Sequence, residues 1–263
     1  MTLIDAIKTR KSVRTYDGRP LSPEHIAHLE KAIADASEFS AESFITVTYT
    51  ADGTFSRVPS TYGFIKGVRT FILIAIKSAN KAEGCLAAGY ACEAAVIRAT
   101  ELGIGTCWLA GTWSKKDFSK VSEIPPGYEL SAVITAGYPL ERPRLFDKMI
   151  RKAIGCNNRR PFNELFFEET WGKPVTAHSP LEAPLEAVRL APSSTNSQPW
   201  RVVIADDKAH FYYKPTTHVM FDMGIALFHF CRVARLRCRL IDDPLHPQAP
   251  APYKYLGSVA VNF

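Results

Sequence analysis

The sequence predicts an α+β protein made of two related halves in one chain. Three observations carry that prediction. A helix–strand–strand–helix order occurs twice, once between Pro23 and Leu102 and again between Pro180 and Leu240. The stretch Thr70–Ile76 is apolar throughout, as a strand buried on both faces must be. The 263 residues, 46% hydrophobic and 22% charged, suffice for one large core or two modest ones.

Leu3–Lys8 reads as a short amphipathic helix that stops before a basic cluster. Ser22-Pro23-Glu24-His25 supplies an N-cap, a first-turn proline and an early acid. A helix is therefore expected from Pro23 to Ser37, with Ile26, Leu29, Ile33 and Ala36 on one stripe. Phe44–Thr50 is rich in β-branched residues and reads as a strand, with Thr70–Ile76 its buried successor. Gly84–Leu102 is a long helix whose small residues permit close packing, and Gly103-Ile104-Gly105 ends it. Leu130–Tyr138 is a further strand. The charges of Glu141–Asn158 suggest an extended surface segment, and Arg159-Arg160-Pro161-Phe162 leads into a short helix over Asn163–Trp171.

After Gly172-Lys173-Pro174 the order begins again. A helix over Pro180–Leu190 is followed by strands Arg201–Ala205 and His210–Lys214, then by a helix over Met223–Leu240. Leu29-Glu30 corresponds to Leu185-Glu186, Phe44 to Trp200, and the helix from Gly84 to the one from Met223. A repeat of this size suggests duplication of an α+β unit, the halves packed as an intrachain pseudo-dimer and divided as 1–172 and 173–263.

The net charge of +6 admits an anionic ligand, but no run of five Lys/Arg occurs, so no nucleic-acid partner is expected. The first residues lack the apolar region of a signal peptide, and no apolar run reaches the roughly 18 residues of a membrane span. No membrane partner and a reduced, cytoplasmic setting are therefore expected. Cys85, Cys92, Cys107, Cys156, Cys231 and Cys238 form no CxxC pair and read as core thiols rather than metal ligands.

Two segments can carry chemistry. Arg10-Lys11-Ser12-Val13-Arg14 puts three cations and a hydroxyl into five residues. If the segment is extended, Arg10, Ser12 and Arg14 share a face and suit a phosphate or an anionic ring edge. A solvated basic turn is the alternative. Pro192-Ser193-Ser194-Thr195-Asn196-Ser197-Gln198-Pro199-Trp200 combines hydroxyls, amides and two prolines. That composition makes a rigid loop able to orient a polar ligand, or simply a turn that closes a helix and opens a strand.

Together these segments are similar to the signature stretches of the FMN-dependent nitroreductase superfamily. Gly103-Ile104-Gly105-Thr106-Cys107-Trp108 resembles its Gly-Leu-Gly-Thr-Cys-Trp stretch, Gly137-Tyr138-Pro139 its last central strand, and Arg159-Arg160-Pro161-Phe162-Asn163-Glu164 its closing segment. The order departs from the family's usual one. Glu38–Phe44 occupies the place where the Ser/Asn/Gln/Pro loop normally follows the basic cluster, and that loop stands only in the second half. The resemblance is therefore to a tandem-half branch, in which duplication fused a dimer and one of two composite sites decayed.

The resemblance implies a nitroreductase-like fold, one FMN per chain, and a monomer where relatives are dimers. It implies that Arg10, Lys11 and Ser12 serve the phosphate or ribityl chain and that Arg14 approaches the pyrimidine edge. Arg159 and Arg160 would complete the phosphate grip. Ser193, Ser194 and Asn196 would touch ribityl and ring from the other half, with Pro192 against the ring. Backbone amides of Leu109, Ala110 and Gly111 would face the N5/O4 edge, or merely lead a helix end into a strand. The implied reaction is ping-pong reduction of a nitroaromatic or quinone by NAD(P)H, with no side-chain acid or base nominated and no metal. A Cys–His pair from Cys107 has no support beyond composition. The alternatives are another flavin reaction on this fold, such as dehalogenation or flavin breakdown, and a non-catalytic flavin carrier or sensor.

Overall fold

The computed structural model describes residues 1–37, 42–49, 59–142, 144–155, 158–176 and 179–261. Expectations for Glu38–Ala41, Thr50, Cys156 and Asn157 lie outside the described residues. The chain divides into two compact units, Met1–Ile154 and Gly155–Phe263, each with its own four-stranded sheet.

The first unit begins with α1 (Leu3–Thr9), whose Thr2 N-cap and Asp5 form a reciprocal capping box. Helix α2 (Pro23–Asp35) is capped by Ser22 and buries Ile26, Leu29 and Ile33, and the fourth expected stripe residue, Ala36, is buried at its C-cap. Its sheet contains β1 (Ser43–Tyr49), β2 (Thr70–Lys77), β3 (Gly105–Leu109) and β4 (Tyr128–Gly137), in the order β1-β2-β4-β3 and antiparallel throughout. Strand β2 is buried at every residue before Lys77, as its unbroken apolar run requires. Helix α3 (Lys81–Glu101) packs on α2 and the sheet. Its small residues are the reason: a Cβ at Gly84 would lie 2.6 Å from Ile76 and 2.7 Å from the Glu42 carbonyl. On the opposite face Phe71, Leu73, Cys107, Leu109 and Val133 form a core with Tyr16 and Phe118 from the short helix α4 (Lys115–Phe118).

The expectation of an extended surface segment over Glu141–Asn158 is corrected. Leu145–Ala153 forms helix α5, because its apolar residues recur with helical spacing among the charges.

In the second unit the expected helix over Asn163–Trp171 is instead one 3-10 turn, Phe162–Glu164, and a strand, β5 (Phe166–Glu168). Strand β5 pairs in parallel with β6 (Trp200–Ala205), beside β7 (Lys208–Tyr213) and β8 (Lys254–Ala260), in the order β5-β6-β7-β8. That pairing explains why the units divide at Ile154/Gly155 rather than at 172/173: residues 159–171 are stitched into the second sheet. Helix α6 (Glu182–Leu190) packs on α7 (Val219–Val233). Helix α7 starts before Met223 and stops well short of Leu240. Arg235 takes φ 57°, and the Arg235 and Leu236 N–H groups donate to the Arg232 and Cys231 carbonyls at 3.4 and 2.8 Å, a Schellman ending.

The two units share an element order and a manner of strand pairing. Helix α2, β1, β2 and α3 match α6, β6, β7 and α7 in order, and both strand pairs are antiparallel. In each unit the next paired strand, β4 or β8, meets the second strand antiparallel with one bulge. The bulges fall opposite Ile74/Ala75 and Phe211/Tyr212. Among the described residues no helix is long and apolar enough to cross a membrane, and no group of His, Cys, Asp or Glu is arranged to hold a metal ion.

Candidate functional site

Two polar constructions correspond to the two segments picked out in the sequence, one in each unit. In the first unit Arg10–Tyr16 is an extended strap. Ser12 bridges Thr106 of β3 in parallel, and the Val13 N–H donates to the Thr106 carbonyl at 2.8 Å. The Lys66 N–H donates to Arg14 O and the Tyr16 N–H to Lys66 O, both at 2.9 Å. Glycines let the strap lie this close. A Cβ at Gly105 would meet Val13 at 2.7 Å, one at Gly137 would meet the Tyr16 ring at 2.8 Å, and one at Gly67 would run into the Tyr16 carbonyl.

Buried polar groups fix the end of the strap. The Tyr16 hydroxyl lies 2.7 Å from both the Val13 carbonyl, to which it donates, and Thr135 Oγ1. Burial pushes this phenol well above its usual range. Thr15 donates to buried Asp147, while Arg144 Nε donates to Thr15 Oγ1 at 2.9 Å and Arg144 Nη2 to Asp147 Oδ1 at 3.0 Å. In the middle, Arg14 Nη1 is buried without a hydrogen-bond partner among the described residues. Arg10 and Ser12 are half-buried and Lys11 is exposed. A buried guanidinium N–H without an acceptor is costly, so an acceptor placed against Nη1 of half-buried Arg14 would be stabilised there.

Leu109 closes β3 in the core, followed by half-buried Ala110 and exposed Gly111. Cys107 lies in the core, its thiol 3.6 Å from the Trp108 carbonyl. That position suits packing rather than a nucleophile.

In the second unit the loop after α6 holds three residues in left-handed backbone: Thr195 at φ 51°, Asn196 at 56° and Gln198 at 47°. Such conformations persist only where surrounding bonds over-determine them. Here they do. Asn196 Nδ2 donates to the carbonyls of Gly155 and Asn158, both at 2.8 Å, and Asn196 Oδ1 accepts from Arg159 Nη1. Arg159 Nη2 donates to Leu190 O at 3.0 Å. Gln198 Oε1 accepts the Arg160 N–H at 2.8 Å, its Nε2 donates to Asn158 O at 3.2 Å, and its own N–H donates to Ser193 Oγ at 2.9 Å.

The structure therefore joins Arg159 and Arg160 to Ser193 and Asn196 in one unit, whereas the sequence placed the arginines in the first half. Asn196 commits both amide hydrogens within the protein, so in this conformation it positions Arg159 and leaves no amide N–H for a ligand. Pro192, Ser193 and Ser194 are half-buried beside it, and Arg160 is exposed, 3.6 Å from Glu164.

Sequence reasoning missed the residue beneath this loop. Asp222, in the first turn of α7, accepts the Ser194 N–H at 2.9 Å. Burial pushes its carboxyl up to about 7, against the opposing pull of the Ser194 N–H and the Ser197 hydroxyl. Starting the helix at Met223 hid it; an acid leading an otherwise mostly apolar helix was the available signal.

The folded carboxyl holds its proton up to about pH 7, while an unfolded one releases it near about pH 4. The folded state binds more protons across that window, so stability is highest at the acid end and falls as pH rises. The expected loss is roughly 4 kcal/mol by the time pH passes the folded value. Asp222→Asn should flatten this slope, as checked by urea unfolding at about pH 4.5 and about pH 7.5.

No curated protein matches the chain. Among solved structures, a putative nitroreductase from Thermotoga maritima aligns over 93% of this chain and 90% of its own, at 20% identity and a TM-score of 0.58. An FMN-dependent nitroreductase from Clostridium difficile covers 57% of this chain at 19% identity and a TM-score of 0.44, with 95% of its own chain aligned. A putative nitroreductase in complex with FMN from Desulfovibrio desulfuricans covers 56% at 22% identity and 0.44, again with 95% of its own chain. The first of these shares the fold. The profile of the family described as "Putative TM nitroreductase" matches residues 2–234. On that match, which takes in most of the chain, the protein belongs to this nitroreductase family.

Proposed function

We propose that the protein is an FMN-dependent oxidoreductase that uses NAD(P)H to reduce a nitroaromatic, quinone or similar small acceptor. The observation that carries this reading is Arg14. Its buried, unpartnered Nη1 calls for an anion, and it stands in the strap that resembles the family's cofactor-binding segment. The donor set fits a planar anionic cofactor with a phosphate tail. Arg10, Lys11 and Ser12 would hold phosphate or ribityl, with Arg159 and Arg160 adding charge. Pro192, Ser193 and Ser194 would flank ribityl and ring, Asn196 would keep Arg159 in place, and the Leu109–Gly111 backbone would face the ring edge.

Bound FMN would supply two-electron transfer between reduced nicotinamide and the acceptor, the two substrates using one site in turn. The protein's part is binding and orientation. Arg14 provides a fixed positive charge, and the over-determined Ser193–Gln198 loop limits reorganisation around the ligand. The reading includes one FMN per chain and a monomer working as a fused pseudo-dimer.

The visible spectrum of the purified protein, with released flavin quantified, tests it. About one FMN per chain, bleached by NADH or NADPH and restored by an acceptor, is the expected result; a flavin that never bleaches would indicate a carrier. Arg14→Ala should weaken FMN binding by about 10- to 100-fold, the range for a charged hydrogen bond, as measured by fluorescence titration. A colourless protein that takes up no added FMN would refute the proposal.

A further inference from the structure

Helix α5 turns its apolar residues to solvent and its acid inward. Leu145 is 77% exposed, Met149 69% and Phe146 43%, whereas Asp147 is 4% exposed. At 100° per residue, Leu145 and Met149 occupy the centre of the outward arc. Lys148 and Lys152 lie on one flank of that arc and Phe146 and Ala153 on the other, all exposed. Asp147 fixes this orientation, because it accepts hydrogen bonds from Thr15 and from Arg144. Rotating the helix to bury Leu145 would expel that ion pair from its site. Upstream, exposed Leu140 and Arg142 continue the apolar and basic residues, with exposed Glu141 between them.

Scattered surface apolar residues need no explanation, but a contiguous stripe on one helix does. We propose that α5 is a surface-docking helix for anionic lipid headgroups. Leu145 and Met149 would enter the boundary between headgroups and acyl chains while Phe146 stays packed on Phe64 and Arg144, and Lys148 and Lys152 would reach the lipid phosphates. The nine-residue helix is about 14 Å long, so it docks on a membrane surface and does not span one. A convex stripe on the side of one helix suits a planar partner. A second copy of the chain suits it less, since the only acid of α5 is turned inward and the two copies would offer lysine to lysine. This inference departs from the sequence expectation of no membrane partner, which rested on the lack of a signal-peptide apolar region and of a membrane-spanning apolar run, neither of which bears on surface docking.

Co-sedimentation of the full chain with vesicles of phosphatidylglycerol and phosphatidylcholine, against phosphatidylcholine alone, tests the proposal. Binding should be at least about tenfold tighter to the anionic vesicles and should weaken with salt, since each lysine near such a surface contributes about fivefold. Leu145→Glu with Met149→Glu, and separately Lys148→Gln with Lys152→Gln, should each reduce binding about tenfold or more. Thermal unfolding should be unchanged, because all four side chains face solvent. Failure to pellet with anionic vesicles overturns the proposal, as does binding indifferent to both variants. It is equally overturned by vesicle-free dimerisation that Leu145→Glu with Met149→Glu abolishes, or by binding to polyglutamate in place of vesicles.

Discussion

Gly67→Ala should destabilise the first unit by about 4 kcal/mol, while Gly103→Ala should cost only about 1 kcal/mol. Both glycines take positive φ, at +75° and +73°, so both substitutions incur the left-handed penalty of an L-residue. Only Gly67 adds a collision. Its new Cβ would strike the Tyr16 carbonyl and lie 2.9 Å from that carbonyl carbon, whereas nothing lies within 4 Å of a Cβ at Gly103. Backbone cannot step aside as a flexible side chain can. The strap must lift, and the 2.9 Å bonds joining Lys66 to Arg14 and Tyr16 are strained with it. Urea unfolding of the two variants separates the conformational cost from the steric one. If strap position also governs flavin binding, Gly67→Ala should lower FMN affinity and Gly103→Ala should not.

Asn196→Ala is the second large effect, expected to destabilise the second unit by about 4 kcal/mol. Two neutral hydrogen bonds, to Gly155 O and Asn158 O, are worth about 1 kcal/mol each, and the bond from Arg159 about 2 kcal/mol. Alanine is also less tolerant than asparagine of φ 56°. Asn196→Asp provides the contrast. It keeps an acceptor for Arg159 but turns a carboxylate toward two carbonyl oxygens, so it should rescue little. Thermal unfolding checks the order. An alanine variant as stable as wild type would show that the loop is held by Gln198 and Asp222 alone.

What could be read in the sequence was local chemistry. The Pro23–Asp35 helix, the buried β2 and the two polar segments announce themselves through caps, period and composition within a dozen residues of one another. What could not be read depends on distant partners. Phe166-Phe167-Glu168 is too short to declare a strand without β6 beside it, so Arg159 and Arg160 were assigned to the wrong half. Helix α5 was hidden by its charges, which outweighed its helical period. A helix start at Met223, four residues late, hides Asp222, although burial makes it the strongly shifted carboxyl beneath the loop. The segments that resemble a cofactor site were legible; the hydrogen bonds that brace them were not.

The membership of β5 in the second sheet decides where this chain can be cut. A fragment starting at Lys173 would leave Val202–Ile204 of β6 as a bare strand edge, stripped of Phe166 and Phe167 and open to pairing with other chains. A cut at Gly155 keeps that edge covered and keeps Arg159 with Asn196. Fragment complementation, circular permutation or the splitting of such a gene would therefore be tolerated at the latter junction and penalised by aggregation at the former, though the two lie close together in sequence.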